Sequence, residues 1–153
     1  MQKETLAGFT VIGIHCRTSN QENRAVQDIP ALWSRFMQEN VASSIPQKLS
    51  PEVYCVYTDY EGDHNLPYTV LIGCKVAPDT PTPEGMVKRQ IEAGDYQSFM
   101  AEGNLQEGAV TQTWFQIWES GLDRRFQADF EVYGELAANP VFAKVPIYVG
   151  LKS

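Results

Sequence analysis

The residue of this sequence that most suggests chemistry is a glutamate in the segment FQADFEVYGE, residues 126–135. Side chains on a β-strand alternate between two faces, so Glu131 and Tyr133 share one face while Phe130 and Val132 share the other. Most strand glutamates point to solvent. The alternative is that Glu131 lines a pocket. There, burial would raise the pKa of its carboxyl and an incoming cation would favour its ionised form. These are the two interpretations of Glu131.

Other reactive residue types form no recognisable catalytic or metal-binding pattern. The cysteines are odd in number and each lies in an apolar, strand-like run, which predicts free thiols in a reducing compartment: Cys16, Cys55 and Cys74. No CxxC, HxH or HExxH spacing presents two metal ligands together, so we predict no metal site and no cofactor. Asp63 and His64 lie in a turn sequence without a nucleophile, which predicts a solvated loop and no catalytic residue.

Composition excludes several classes of function. The 153 residues fit one domain, and a formal charge of −7 disfavours nucleic acid and favours cationic partners. No segment approaches about 18 uninterrupted apolar residues, and the N-terminus has no basic leader, so we expect no membrane span and a cytoplasmic location.

The first half of the chain predicts the order strand, helix, strand, strand. Residues 8–18 are β-branched and apolar, and SSIPQKLSP ends the helix that follows. Pro30 is expected in the first turn of this helix, whose apolar face recurs at helical spacing: Ile29, Leu32, Trp33 and Phe36. EVYCVYTDY and PYTVLIGCKVA then predict a hairpin across a turn-rich loop.

The second half repeats that order after a proline-rich connector, residues 78–85. Residues 86–103 predict one long strand or two short ones around Gly94. Residues 104–121 predict a helix with one apolar face, formed by Leu105, Val110, Trp114, Ile117 and Trp118. FQADFEVYGE and KVPIYVGLK are the predicted closing strands.

Two segments of the halves match closely. Residues 55–57 correspond to residues 131–133, and residues 70–75 correspond to residues 147–152. The predicted fold is therefore α+β, with duplicated βαββ units around a pseudo-twofold axis, an antiparallel sheet and two helices on one face. We expect one domain, with repeat 1 over about 1–77 and repeat 2 over about 86–153.

This order, the AGDYQSF strand before a Trp-containing helix, and the pair DFEVYGE and PIYVGLK resemble the gyrase-inhibitor-like small-molecule-binding domain. That domain also serves as the effector-binding half of AraC-type and MerR-type multidrug-responsive regulators. The resemblance covers almost the whole chain. It implies that the halves meet at a groove, where a carboxylate at the position that Glu131 matches lies among aromatic rings and meets a cationic or polar ligand.

Alternation along the strands extends the predicted pocket wall to the matching strand of the first half. One set is expected to pack under the helices, namely Phe130, Val132, Tyr54 and Val56. The other set faces the pocket, namely Glu131, Tyr133, Cys55 and Tyr57. Aromatic faces near the groove could stack on a planar cation, whereas Trp33, Trp114 and Phe36 favour the helix core. The full predicted ligand-binding set is Glu131, Tyr133, Tyr57, Trp114, Trp118, Tyr96, Phe99, Tyr148 and Cys55.

The predicted function is the binding of hydrophobic, often cationic, drug-like molecules, with Glu131 as counter-charge. One alternative is a gyrase-inhibitor-like factor with gyrase or a regulator as its protein partner. Another is a hydrolase of strained-ring DNA-alkylating compounds, in which Glu131 activates water and Tyr133 or Trp114 positions the substrate. Because the first strand begins so early, we expect a freestanding domain without a DNA-binding helix-turn-helix segment. The internal duplication favours a monomer.

Overall fold

The computed structural model describes residues 2–152, so the outermost residues of the two predicted repeats, Met1 and Ser153, lie outside it. Eight strands and two α-helices follow one another along these residues: β1 (Gln2–Leu6), β2 (Phe9–Thr18), α1 (Arg24–Gln38), β3 (Val53–Thr58), β4 (Tyr68–Val76), β5 (Val87–Ile91), β6 (Gly94–Gly103), α2 (Ala109–Glu119), β7 (Arg124–Tyr133) and β8 (Ala143–Leu151).

The strands form one antiparallel sheet in the order β1-β6-β8-β7-β3-β4-β2-β5. This arrangement confirms the predicted α+β fold with two βαββ units, which join where β3 pairs with β7. Each half also gives a short strand to the other half, because β1 pairs with β6 and β5 pairs with β2. The region around Gly94 is therefore two strands, and β1 is an edge strand that the sequence did not predict.

The centre of the sheet lies at the β3–β7 pair. Cys55 is opposite Glu131, with Val53 opposite Tyr133 and Tyr57 opposite Asp129. Since the internal repeat equates residue 55 with residue 131, the pseudo-twofold axis passes between these two side chains. Tyr57 and Tyr133 are equivalent positions around that axis.

The structure inverts the predicted assignment of the two sheet faces. Cys55 packs with Leu32 and Phe36 of α1, so the face of Glu131 is the one that the helices cover. The set expected under the helices lies on the opposite face instead, and it comprises Phe130, Val132, Tyr54 and Val56. Both faces of the central strands are apolar, so alternation separates the two sets without showing which one meets the helices.

The face without helices is buried by curvature of the sheet. β2 lies three strands away from β7, yet the ring of Phe9 is 5.1 Å from that of Phe130 and 5.4 Å from that of Tyr54. Neighbouring strands are about 4.8 Å apart, so a flat sheet could not bring these rings together. The sheet therefore curls around its own aromatic core, and the helices cover its other face.

Two glycines permit a close contact between β2 and β4. Gly13 and Gly73 are opposite each other, and a Cβ added to Gly73 would lie 2.1 Å from the carbonyl oxygen of Ile12. A Cβ added to Gly13 would lie 2.0 Å from the carbonyl oxygen of Ile72. Neither position has room for a side chain.

Helix α1 begins earlier than predicted. It starts at Arg24, so Pro30 lies inside the helix rather than in its first turn. Proline removes the hydrogen bond to the carbonyl four residues earlier, which belongs to Val26. Val26 is 72% exposed and Pro30 is also exposed, so the proline lies on the solvent-facing side of the helix.

Candidate functional site

The candidate site is the carboxylate of Glu131, which lies between the sheet and the two helices and is only 1% exposed. Its Oε1 accepts a hydrogen bond from the Tyr133 hydroxyl at 2.6 Å. Its Oε2 accepts one from the Tyr57 hydroxyl at 2.6 Å and one from Nε1 of Trp114 at 2.7 Å. Two tyrosines related by the pseudo-twofold axis thus converge on one carboxylate.

Every one of these donors is a neutral group. Among residues 2–152, no lysine, arginine or histidine forms an ion pair with Glu131. Burial raises the pKa of the Glu131 carboxyl, and the hydrogen bonds from Tyr133, Tyr57 and Trp114 oppose that rise in part. The result is an acid with a raised pKa, solvated by the protein but without a counter-ion.

The tyrosines remain protonated donors because of the same environment. Burial raises the pKa of the Tyr57 and Tyr133 hydroxyls well above the usual range, and the charge of Glu131 raises both further. The thiol of Cys55, opposite the carboxylate, also has a raised pKa through burial and through Glu131. At neutral pH the tyrosine hydroxyls therefore stay protonated and can donate hydrogen bonds to the carboxylate.

Tryptophans from both helices form the walls around these tyrosines. The ring of Trp33 on α1 meets that of Tyr133 edge-on, with centroids 4.8 Å apart and an angle of 73°. Trp114 on α2 meets Tyr57 in the same way, at 5.3 Å and 77°. The helix of each half thus packs on the tyrosine of the other half, and four rings surround the acid.

A second carboxylate lies on the same face of β7. Asp129 is fully buried and accepts hydrogen bonds from Nη2 of Arg124 at 2.7 Å, from the Tyr60 hydroxyl at 2.5 Å and from the backbone N–H of Gly150 at 2.8 Å. Arg124 is itself only 5% exposed, so this is a buried ion pair. Asp129 is neutralised within the protein, unlike Glu131.

The loop between β3 and β4 packs against this region instead of being fully solvated as predicted. The ring of His64 stacks on Trp118 at 5.1 Å with an angle of 6°, and its Nδ1 is 3.5 Å from Nη1 of Arg124. Burial, and then the charge of Arg124, lowers the pKa of His64. Trp118, one of the predicted ligand-binding residues, is partly buried and stacks on this histidine.

The structure brings five of the nine predicted site residues together, namely Glu131, Tyr133, Tyr57, Trp114 and Cys55. Trp118 and Phe99 pack at the edge of the same cluster under α2.

Tyr96 and Tyr148 lie elsewhere, on the opposite face of the sheet against Phe130. Strand alternation explains their position. Ile147 and Val149 face α2, so Tyr148 between them must face away.

The aromatic rings cover the carboxylate. Two cavities among the described residues have volumes of about 470 and 300 Å³, and Glu131 lines neither of them. The first lies near Tyr60 and Arg125, and the second near Phe99 and Tyr148. A ligand that reaches Glu131 must therefore displace some of the rings above it.

Comparison with known proteins decides the family. Residues 4–151 match the family model described as Cass2, integron-associated effector binding protein. The chain belongs to this family. The predicted resemblance to effector-binding domains is confirmed, and a role in binding effectors follows from membership.

Relatives of this effector-binding protein agree with the assignment. YobU of Bacillus subtilis (strain 168), whose name proposes a role as a transcriptional regulator protein, is 31% identical over 144 residues, which cover 92% of this chain and 90% of YobU. The structure of an integron cassette protein from the mobile metagenome of Vibrio cholerae has a TM-score of 0.75 at 25% identity. That match covers 99% of this chain and 95% of the cassette protein.

A second similar structure contains a ligand. SAV2435 bound to tetraphenylphosphonium has a TM-score of 0.81 at 18% identity, and the match covers 99% of this chain and 93% of SAV2435. At this identity the likeness shows a shared fold.

Two further findings concern membranes and metals. Among the described residues, neither helix is long and apolar enough to span a bilayer. Within the same part of the chain, no three side chains of the metal-ligating types are grouped as a metal site would require.

Proposed function

We propose that this effector-binding protein binds lipophilic organic cations between α1 and α2, with the Glu131 carboxylate as counter-charge. One observation carries the proposal: Glu131 is buried, and its three hydrogen-bond donors are all neutral. A buried charge without a counter-ion costs several kcal/mol in effective terms. A bound cation supplies the missing charge, so the cost is recovered only in the complex.

The chemistry of the walls supports a ligand that is both apolar and positively charged. Aromatic faces attract cations, and the gain is about 2 kcal/mol or more where the pair is desolvated. Trp33, Trp114, Tyr57 and Tyr133 offer four such rings around the acid. The complex of SAV2435 with tetraphenylphosphonium supports the same ligand class through a shared fold.

Entry of the ligand requires the rings to part. The edge-on contact of Trp33 with Tyr133 joins α1 to β7, and Trp33 is partly exposed. An aromatic pair contributes about 0.5–1.5 kcal/mol beyond its area, which a ligand that stacks in the same place can replace. We expect Trp33 and Tyr133 to separate when the ligand binds.

The test is a calorimetric titration of tetraphenylphosphonium into the wild type and into the Glu131→Gln variant, which measures the affinity of each. Two unit charges about 4 Å apart interact by about 4 kcal/mol at an effective dielectric constant of about 20. Because desolvation of the ligand cancels part of this energy, we expect Glu131→Gln to lose about tenfold to a hundredfold in affinity.

Glu119→Gln is the matched control, since it removes the same charge from an exposed site at the end of α2. Its affinity should stay within about twofold of the wild type, because charges at the surface are screened. An unchanged affinity in Glu131→Gln would contradict the proposal.

The hydrolase and protein-partner alternatives stay predictions, as do the monomeric state and the cytoplasmic location. Mass spectrometry of a strained-ring alkylating compound, incubated with and without the protein, separates binding from hydrolysis. A pure binding protein does not accelerate the opening of its ring.

A further inference from the structure

The face of β7 under the helices carries two carboxylates, and the protein neutralises only one of them. Asp129 and Glu131 are two residues apart on this strand, so their Cα atoms are separated by about 6.6 Å. Tyr57 lies between the two sites, since it is opposite Asp129 in the sheet and donates to Glu131. With Arg124 included, the region has a net charge of −1 when Glu131 is ionised.

The surroundings of Arg124 are those of a site for an organic cation. Its guanidinium lies 4.3 Å from the ring centroid of Phe126 and 5.8 Å from that of Trp114. Its Nη2 donates to Asp129, which also accepts from Tyr60. Aromatic rings and a carboxylate thus surround Arg124, as aromatic rings and Glu131 would surround a bound ligand. Here the cation belongs to the protein.

We propose that Asp129 forms a second cation subsite, which Arg124 occupies, and that this occupation restricts the Glu131 site to singly charged cations. The inference rests on the proposed function and adds charge selectivity to it. A singly charged ligand brings the region to zero net charge, whereas a doubly charged one leaves a buried excess of +1. Excess charge in a desolvated site is costly.

Displacement of Arg124 by the second charge of a ligand is also unfavourable. Arg124 is only 5% exposed and its Nη2 is 2.7 Å from Asp129, so its displacement would have to break a buried ion pair. Arg124 begins an irregular stretch of β7, where the pairing with β8 shifts between Arg124 and Asp129. The ion pair with Asp129 and the rings of Phe126 and Trp114 hold the guanidinium, so we expect its charge to stay in place when a ligand binds.

Ethidium and propidium test the proposal, because they share one ring system and carry one and two positive charges. In the wild type we expect ethidium to bind about tenfold or more tightly than propidium. Arg124→Gln exposes the charge of Asp129, so the ratio of the two affinities should shift by about tenfold or more towards propidium. Arg35→Gln, an exposed position on α1, is the control and should leave the ratio unchanged.

Asp129→Asn decides the question if Arg124→Gln does not fold. This variant keeps the shape of the side chain and leaves the Arg124 charge uncompensated beside Glu131. We expect the affinity for ethidium to fall by about tenfold and that for propidium to fall further. Equal affinities of the two dyes in the wild type, or equal effects of Asp129→Asn on both, would overturn the inference.

The experiments distinguish failure of the proposed function from failure of the charge selectivity. If Glu131→Gln has no effect on tetraphenylphosphonium, the proposed function is wrong. If that effect is present while Arg124→Gln leaves the dye ratio as in the wild type, only the charge selectivity is wrong.

Discussion

Removal of one hydroxyl, in Tyr133→Phe, tests how the protein stabilises a buried acid without a counter-ion. The Tyr133 hydroxyl is the single donor to Oε1 of Glu131 among the described residues, at 2.6 Å. A hydrogen bond to a charged group contributes about 1.5–3 kcal/mol, against about 0.5–1.5 kcal/mol between neutral groups. The phenylalanine ring can retain the contact with Trp33, so the change isolates the hydrogen bond.

The pH dependence follows from the raised pKa of Glu131 in the folded protein. The protonated form is favoured by folding, so its contribution to stability is complete below the unfolded pKa and is lost as pH rises through the folded pKa. Tyr133→Phe removes a donor that lowers this pKa, so it raises the folded pKa further. We expect a loss of about 0.5–1.5 kcal/mol in acid and of about 1.5–3 kcal/mol once Glu131 is ionised.

Urea unfolding from pH 4 to pH 8 measures this difference, with the free energy of unfolding taken at each pH. The measurement is repeated in the background of Glu131→Gln, where the site has no charge to stabilise. In that background the loss from Tyr133→Phe should be small and independent of pH. A loss of the same size at every pH, or in both backgrounds, would refute the reasoning.

Two further predictions concern the sheet and the indole donor. Gly73→Ala should lower the free energy of unfolding by about 3 kcal/mol or more, because its Cβ would lie 2.1 Å from the carbonyl oxygen of Ile12. A loss below about 1 kcal/mol, measured by thermal unfolding, would contradict this close contact. Trp114→Phe removes an N–H donor and so raises the pKa of Glu131, which leaves less of the ionised form to bind a cation. Tetraphenylphosphonium binding should therefore weaken several-fold at neutral pH, and equal affinity by calorimetry would contradict this role.

Much of the fold is predictable because the two halves share a pattern. Long apolar runs and matching segments predict the hairpins and the βαββ order. The strand β1 was missed because QKETL is short and polar, and only its pairing with β6 makes it a strand. The face assignment was wrong because a curved sheet buries both faces of its central strands, so hydrophobicity cannot tell them apart.

The centre of the site was predictable for a related reason. Strand alternation and the repeat together place Tyr57, Tyr133 and Cys55 with Glu131, because the pseudo-twofold axis passes through this point. Asp129 shares the face of Glu131 by the same alternation, so its proximity could have been predicted.

The side chains that bind Asp129 could not have been predicted in this way. The irregular stretch of β7 carries Arg124 to Asp129, and Tyr60 reaches Asp129 from a loop far away in sequence. Neither contact follows from strand alternation, because the first depends on an irregularity of β7 and the second joins residues that are distant in sequence.

The most direct test of the account is the pKa of Glu131 itself, measured by NMR from the side-chain carboxyl carbon of ¹³C-labelled glutamate. The Glu131→Gln variant, which lacks this one signal, assigns the resonance. In the free protein the pKa should lie above that of an ordinary glutamate, and saturation with tetraphenylphosphonium should lower it, since a cation favours the ionised form. An ordinary pKa in the free protein, or one that tetraphenylphosphonium leaves unchanged, would contradict the role of Glu131 as the counter-charge.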